Sequence, residues 1–149
     1  MIKLFGTAML FAVISAAALG LLVFVLGFWV SIERTRSKVI TGAPDPASSL
    51  AKTVRAHGNA TEYAPTLMVL LLIVGVALER DMSRDPAAAG PVVWLMLAVT
   101  ASRFIHAAGF LLCETLEKPH VLKAIGAIVT YVGGAALSIV AIASVLQPA

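Results

Sequence analysis

The run from Leu4 to Ile32 contains no charged residue. It is longer than the roughly 20 residues that a helix needs to cross a bilayer, so the chain opens on a membrane helix with length left over to tilt or protrude. The run is too long for the core of a signal peptide and lacks a small-x-small cleavage site, so the helix is expected to be retained. Trp29, near its far end, suits the membrane–water interface. The composition agrees: 60% of the 149 residues are hydrophobic and the mean hydropathy is +0.96, values that belong in a bilayer.

Three further spans follow, and the expected fold is an all-α bundle of four transmembrane helices forming one domain over residues 1–149, with spans at about 4–32, 55–78, 91–113 and 121–146. Between the first two spans, Thr41-Gly42-Ala43-Pro44-Asp45-Pro46 breaks any helix. Ser48 or Ser49 is placed to cap the helix that restarts before Lys52. Pro65 predicts a mild kink in the second span, and Pro91 suits the first turn of the third. In the fourth, Gly126, Gly133 and Gly134 allow close helix approach.

Charge is informative by location. Arg34, Arg36, Lys38, Lys52, Arg55, Lys118 and Lys123 fall on one side of the spans; Lys3, Arg80 and Arg84 fall on the other. The positive-inside rule then predicts cytoplasmic first and third loops, with both termini on the opposite side. The single cysteine, Cys113, rules out an internal disulfide. There is no cysteine–histidine cluster with metal spacing, no Walker loop, no GxGxxG and no GxSxG, and neither a metal nor a nucleic-acid partner is expected.

The second span carries the chemistry. Its uncharged run, Ala64 to Leu78, is too short to cross a bilayer. A spanning helix must therefore start near Asn59 and take Glu62 to membrane depth, where an ionisable residue is a functional hypothesis by default. At about 100° per residue, Arg55, Asn59 and Glu62 share a sector of roughly 60°, with His57 nearly opposite. In the third span Arg103, His106 and Phe110 share a face. Arg103 lies about 15 Å from the end of its helix, where a lone cation costs about 2.5–3.5 kcal/mol on insertion scales. Glu62, at similar depth on an antiparallel neighbour, is the expected partner. Such a pair could serve packing alone. However, Arg34 ends the first span and Lys123 opens the fourth on the same side, so all four helices bring polar groups to one level. That convergence predicts an interhelical pocket for a mostly anionic ligand with one cationic group.

Arg55-x-His57-x-Asn59-x-x-Glu62-Tyr63-x-Pro65 resembles the second-helix signature of the MAPEG family (membrane-associated proteins in eicosanoid and glutathione metabolism), and Arg103-Phe104-Ile105-His106 resembles the third-helix motif of bacterial members. The chain is similar to microsomal glutathione transferases along its whole length. The resemblance implies a homotrimer in a membrane, here the bacterial inner membrane, with glutathione as co-substrate or ligand between neighbouring subunits near the cytoplasmic face. By position, Arg55, Asn59, Glu62 and Tyr63 hold glutathione from one subunit, Arg34 and His57 reach it from the neighbour, and Arg103 and His106 complete the pocket. Lys123 stands where catalytic relatives have a thiolate-stabilising arginine, and Phe110 where leukotriene-synthase relatives have a tyrosine. Lys123 and Arg103 are the implied catalytic residues.

The implied activity is glutathione transfer or peroxide reduction on a lipophilic second substrate entering from the bilayer. The alternative is a non-catalytic relative that binds lipid or glutathione within a membrane complex; Lys123 and Phe110 favour it, and the intact Arg55, Asn59, Glu62 and Tyr63 favour the enzyme. Small proton-coupled exporters of similar size carry a glutamate in the first helix, and this first span has no carboxylate. Of the remaining polar residues, His120 reads as a solvated loop histidine and Cys113 as a small apolar filler. Tyr131 is expected to satisfy its hydroxyl on the backbone of another helix. Tyr63 fits either an interface anchor or a thiol-contacting hydroxyl.

Overall fold

In the computed structural model, residues 6–43, 45–82 and 86–146 are described, without the side chains of 81–82 and 86–89. Lys3, Pro44 and Arg84, part of the loop and charge pattern above, lie outside the described residues. The chain folds into four helices: α1 (Thr7–Ser37), α2 (Ser49–Met82), α3 (Pro86–Leu112) and α4 (Val121–Leu146). All four are long and apolar enough to cross a membrane, and the described residues contain no strand. The protein is a multi-pass integral membrane protein.

The helices overrun the expected spans, because helical hydrogen bonding continues where the chain leaves the hydrocarbon. The first runs on to Ser37 rather than ending at 32, and the second begins at Ser49 rather than near 55. At 1.5 Å per residue α2 is about 51 Å long, against roughly 30 Å of hydrocarbon. It passes through Pro65 as one continuous helix. The third helix starts five residues before Pro91, so Pro86, not Pro91, takes the first helical position.

Local chemistry sets the ends. Lys38, at φ 56°, turns the chain left-handed after α1 while the Val39 N–H donates to the Arg34 carbonyl at 3.2 Å. Ser48 caps α2: its hydroxyl oxygen accepts the Ala51 N–H at 3.2 Å. His120 caps α4, with Nδ1 accepting the Leu122 N–H at 3.3 Å and its carbonyl accepting the Ala124 N–H at 3.1 Å. His120 is thus a capping residue, where a solvated loop histidine was expected. The first helix has no cap from its own side chains. Glu79, far along α2, supplies one: its Oε2 accepts the Met9 N–H at 3.2 Å, placing a carboxylate at the positive end of α1.

The packing order places the polar residues. Helix α2 touches α1, α3 and α4, and α3 also touches α1 and α4, whereas α1 and α4 do not meet. Seen end-on, α2 and α3 form the short diagonal of a rhombus. Its core holds Leu19, Leu67, Leu71, Val74, Met96, Val99 and Leu137. Along α4, Gly126 and Gly133 face α3: a Cβ at Gly126 would fall 2.5 Å from the His106 Cβ, and one at Gly133 would collide with Val99. The missing side chains let the two backbones close on each other. Gly134 has only ordinary contact with Leu67 and takes no part in this approach.

Candidate functional site

The tight α3–α4 approach fixes a register in which Ser102 faces Thr130 and His106 faces Gly126. Helix α2 lies across the same level and brings Asn59 to Arg103. By 1.5 Å per residue, Asn59, Arg103 and Thr130 each sit about 14–15 Å from the helix ends that carry the first and third loops.

Arg103 is 2% exposed. One terminal nitrogen, Nη2, donates to the Asn59 side-chain oxygen at 2.6 Å and to the Asn59 carbonyl at 3.2 Å; Nη1 donates to Thr130 Oγ1 at 3.2 Å. Thr130 can accept because its own proton goes to the Gly126 carbonyl at 2.7 Å. Arg103 Nε has no acceptor among the described residues. The expected Arg103–Glu62 pair does not form. Asn59 faces the bundle and intervenes: its oxygen serves Arg103 while its amide nitrogen donates to Glu62 Oε2 at 3.4 Å. This is the orientation the amide must take, since Arg103 can only donate and an ionised Glu62 can only accept.

Glu62 instead meets Arg55, two turns earlier on the same stripe of α2, at 3.5 Å; the two side chains are 51% and 53% exposed. The Arg103 guanidinium carbon lies 5.2 Å from the Tyr63 ring centroid. The Tyr63 hydroxyl lies 3.2 Å from the Tyr131 hydroxyl. Tyr131 therefore finds a side-chain partner, where a backbone one was expected. Towards the loop end, Phe110 has the Arg55 guanidinium 5.9 Å and the Lys123 ammonium 5.6 Å from its ring centroid. The Lys123 ammonium also donates to the Lys118 carbonyl at 2.7 Å. His106 Nδ1 lies 2.7 Å from the Lys123 carbonyl oxygen, and its ring meets Phe110 edge-on at 4.9 Å.

The fold thus gathers Arg55, Asn59, Glu62, Tyr63, Arg103, His106 and Lys123 on three helices. Arg34 and His57 are elsewhere. Arg34 folds onto its own loop, with Nη1 donating to the Val39 and Gly42 carbonyls at 3.4 and 3.3 Å. His57 faces α1, its Nε2 beside Gly27. Ser102 and Thr130 were missed by sequence reasoning. Thr130 lies seven residues after Lys123, on the same stripe, but a lone threonine in an apolar run carries no chemical signal of its own. Cys113 is buried, with its thiol donating to the Phe110 carbonyl at 3.1 Å, in keeping with a filler. No group of three metal-ligating side chains occurs among the described residues.

Three cations stand against one carboxylate in this cluster. One cation, Arg103, faces only neutral acceptors and a tyrosine ring, and its buried Nε has no acceptor among the described residues. Such a set favours an anion, and guanidinium forks suit carboxylates.

No curated protein and no solved structure matches the chain. A model of the MAPEG family matches residues 12–143, which include all four helices in part or whole and every residue of the cluster. A match over nearly the whole chain, on a four-helix membrane fold, makes this protein a member of the MAPEG family.

Proposed function

We propose that the cluster on α2, α3 and α4 binds glutathione and activates its thiol for attack on lipophilic electrophiles. The observation that carries this is the charge pattern: Arg55, Arg103 and Lys123 around the single carboxylate of Glu62. Glutathione has two carboxylates for the arginines and one ammonium for Glu62. A free thiol near pKa 8.5 is mostly protonated at neutral pH, so turnover needs the thiolate favoured. Lys123 and Arg103 supply positive charge for that. The thiol proton passes to water, the thiolate sulfur attacks the electrophilic carbon, and the leaving group departs with its electron pair. With a lipid hydroperoxide, two glutathiones give one disulfide, one alcohol and one water.

The pocket is shared between copies in this reading. Arg55 and Glu62 are half-exposed on the α2 face, and a half-exposed ion pair at membrane depth is costly against lipid. A second copy covers that face and brings Arg34 and His57, which the single chain turns away from the cluster. The assembly in this reading is a homotrimer, which family membership supports, with the cation-rich loop end in the cytoplasm, where glutathione is. A second reading, a non-catalytic glutathione or lipid binder within a membrane complex, is favoured by one contact: the Lys123 ammonium already serves the Lys118 carbonyl.

An ultraviolet difference spectrum of the purified protein with glutathione tests the proposal. Thiolate absorbance at neutral pH and saturating glutathione, diminished in Lys123→Met, supports the enzyme. Binding without thiolate supports the second reading, and no binding overturns the enzyme and leaves the second reading only as a lipid binder.

A further inference from the structure

We propose that Phe110 is the positioning residue of the cation cluster: its ring holds the Arg55 guanidinium and the Lys123 ammonium in place for an anionic ligand without consuming their charge. The ligand's identity rests on the functional reading above; the ring–cation contact does not.

The geometry carries the inference. Both cations lie within 6 Å of one ring centroid, Arg55 at 5.9 Å and Lys123 at 5.6 Å, inside the range where an aromatic face attracts a cation. They come from different helices, α2 and α4, and Phe110 from the α3 between them. The ring is itself fixed. Its side chain is 9% exposed, and the His106 imidazole stands at 86° to it, anchored in turn at the Lys123 carbonyl.

The chemistry explains why a phenyl group suits the position. Two like charges brought to one level repel, and something must offset that. A carboxylate there would neutralise them and leave nothing for a ligand. The ring face attracts through its quadrupole and adds no net charge. Their other partners leave donors over: Glu62 takes one arginine nitrogen at 3.5 Å, and the Lys118 carbonyl takes one of three ammonium protons. Without the ring, both long side chains regain rotamers, and a ligand must order them again on binding.

The test uses the full chain in detergent with Phe110→Leu, which keeps apolar bulk and removes the π face, and Phe110→Tyr, which keeps the face. Glutathione affinity by calorimetry is expected to fall roughly tenfold in Phe110→Leu, the combined worth of two exposed cation–π contacts, and to return in Phe110→Tyr. In a Lys123→Met background the same Leu substitution should cost much less, since the ring then has one cation to hold. A loss that is equal in both backgrounds and unrescued by tyrosine makes Phe110 a packing residue and overturns the proposal, as does unchanged affinity. A second readout needs no glutathione: acylation of Lys123 by an amine-reactive ester, relative to Lys118, by peptide mass spectrometry. It should rise at least about twofold in Phe110→Leu as the ammonium leaves the ring. If the wild type binds no glutathione, the functional reading fails, and unchanged Lys123 acylation separately overturns the positioning role.

Discussion

Asn59 joins two charges of opposite sign without letting them meet. Its oxygen takes Arg103 at 2.6 Å and its nitrogen gives to Glu62 at 3.4 Å, so the terminal nitrogens of a buried arginine meet neutral acceptors while the carboxylate stays at the exposed edge. Two substitutions separate these duties. Asn59→Leu removes the short charge-assisted bond and leaves Arg103 with one carbonyl and one hydroxyl; a loss of about 2–3 kcal/mol in unfolding free energy is expected, measured by denaturant titration in detergent. Glu62→Gln keeps an oxygen that can accept the Asn59 amide and leaves the acceptors of Arg103 in place, so it should cost less stability than Asn59→Leu while sharply weakening glutathione binding through the lost ammonium contact. A large unfolding penalty in Glu62→Gln would mean that the carboxylate supports Arg103 after all. The residue-scale lesson is that helical periodicity gives the direction of each side chain around its own axis and says nothing about which neighbour arrives first. Arg55, Asn59 and Glu62 were legible as one stripe, but its amide, not its carboxylate, reaches Arg103.

Two contacts set how the elements sit together. The α3–α4 register depends on glycine at 126, where a Cβ would meet the Cβ and backbone of His106. Gly126→Leu should force the helices apart, remove Thr130 from Arg103 and destabilise the protein by about 1–3 kcal/mol or more; the check is a fall in melting temperature together with loss of ligand binding, while Gly134→Ala, facing only ordinary contacts, leaves both unchanged. The other contact is the Glu79 carboxylate at the start of α1. Glu79→Ala removes the only side chain that caps that N-terminus among the described residues and is expected to cost about 0.5–2 kcal/mol. Its signature is local: faster amide hydrogen exchange in the first turn of α1, with the far end of the bundle unaffected. The small-residue pattern on α4 was visible in the sequence, since glycines in an apolar helix imply close approach. The Glu79 cap was not, because it joins positions seventy residues apart and has no motif.

At the scale of the whole molecule, one chain gathers seven of the candidate residues and turns Arg34 and His57 away. If the pocket is completed by a neighbour, Arg34→Ala and Arg55→Ala disable different chains of one site. Neither homogeneous variant should bind glutathione well, and coexpression should restore a fraction of sites set by subunit mixing. Mixed oligomers that bind no better than either variant, or a monomeric native mass, would leave the site within one chain. Sidedness is tested in the same membranes: a cysteine at Ser37 should react with an impermeant thiol reagent only from the cytoplasmic side.

Hydropathy determined the fold class by itself, because a charge-free run of spanning length has helical hydrogen bonding as its means of satisfying its backbone in lipid. The residue types and spacings from Arg55 to Tyr63 and from Arg103 to His106 likewise marked the polar level of the molecule. The tertiary structure decided the partners. Arg103 takes Asn59 and Thr130, Tyr63 takes Tyr131, and Phe110 meets two cations, because those pairings depend on how far α2 and α4 slide along α3. That slide is set by glycine backbone contacts and core side chains spread over the whole bundle, and no local pattern in the sequence encodes their sum.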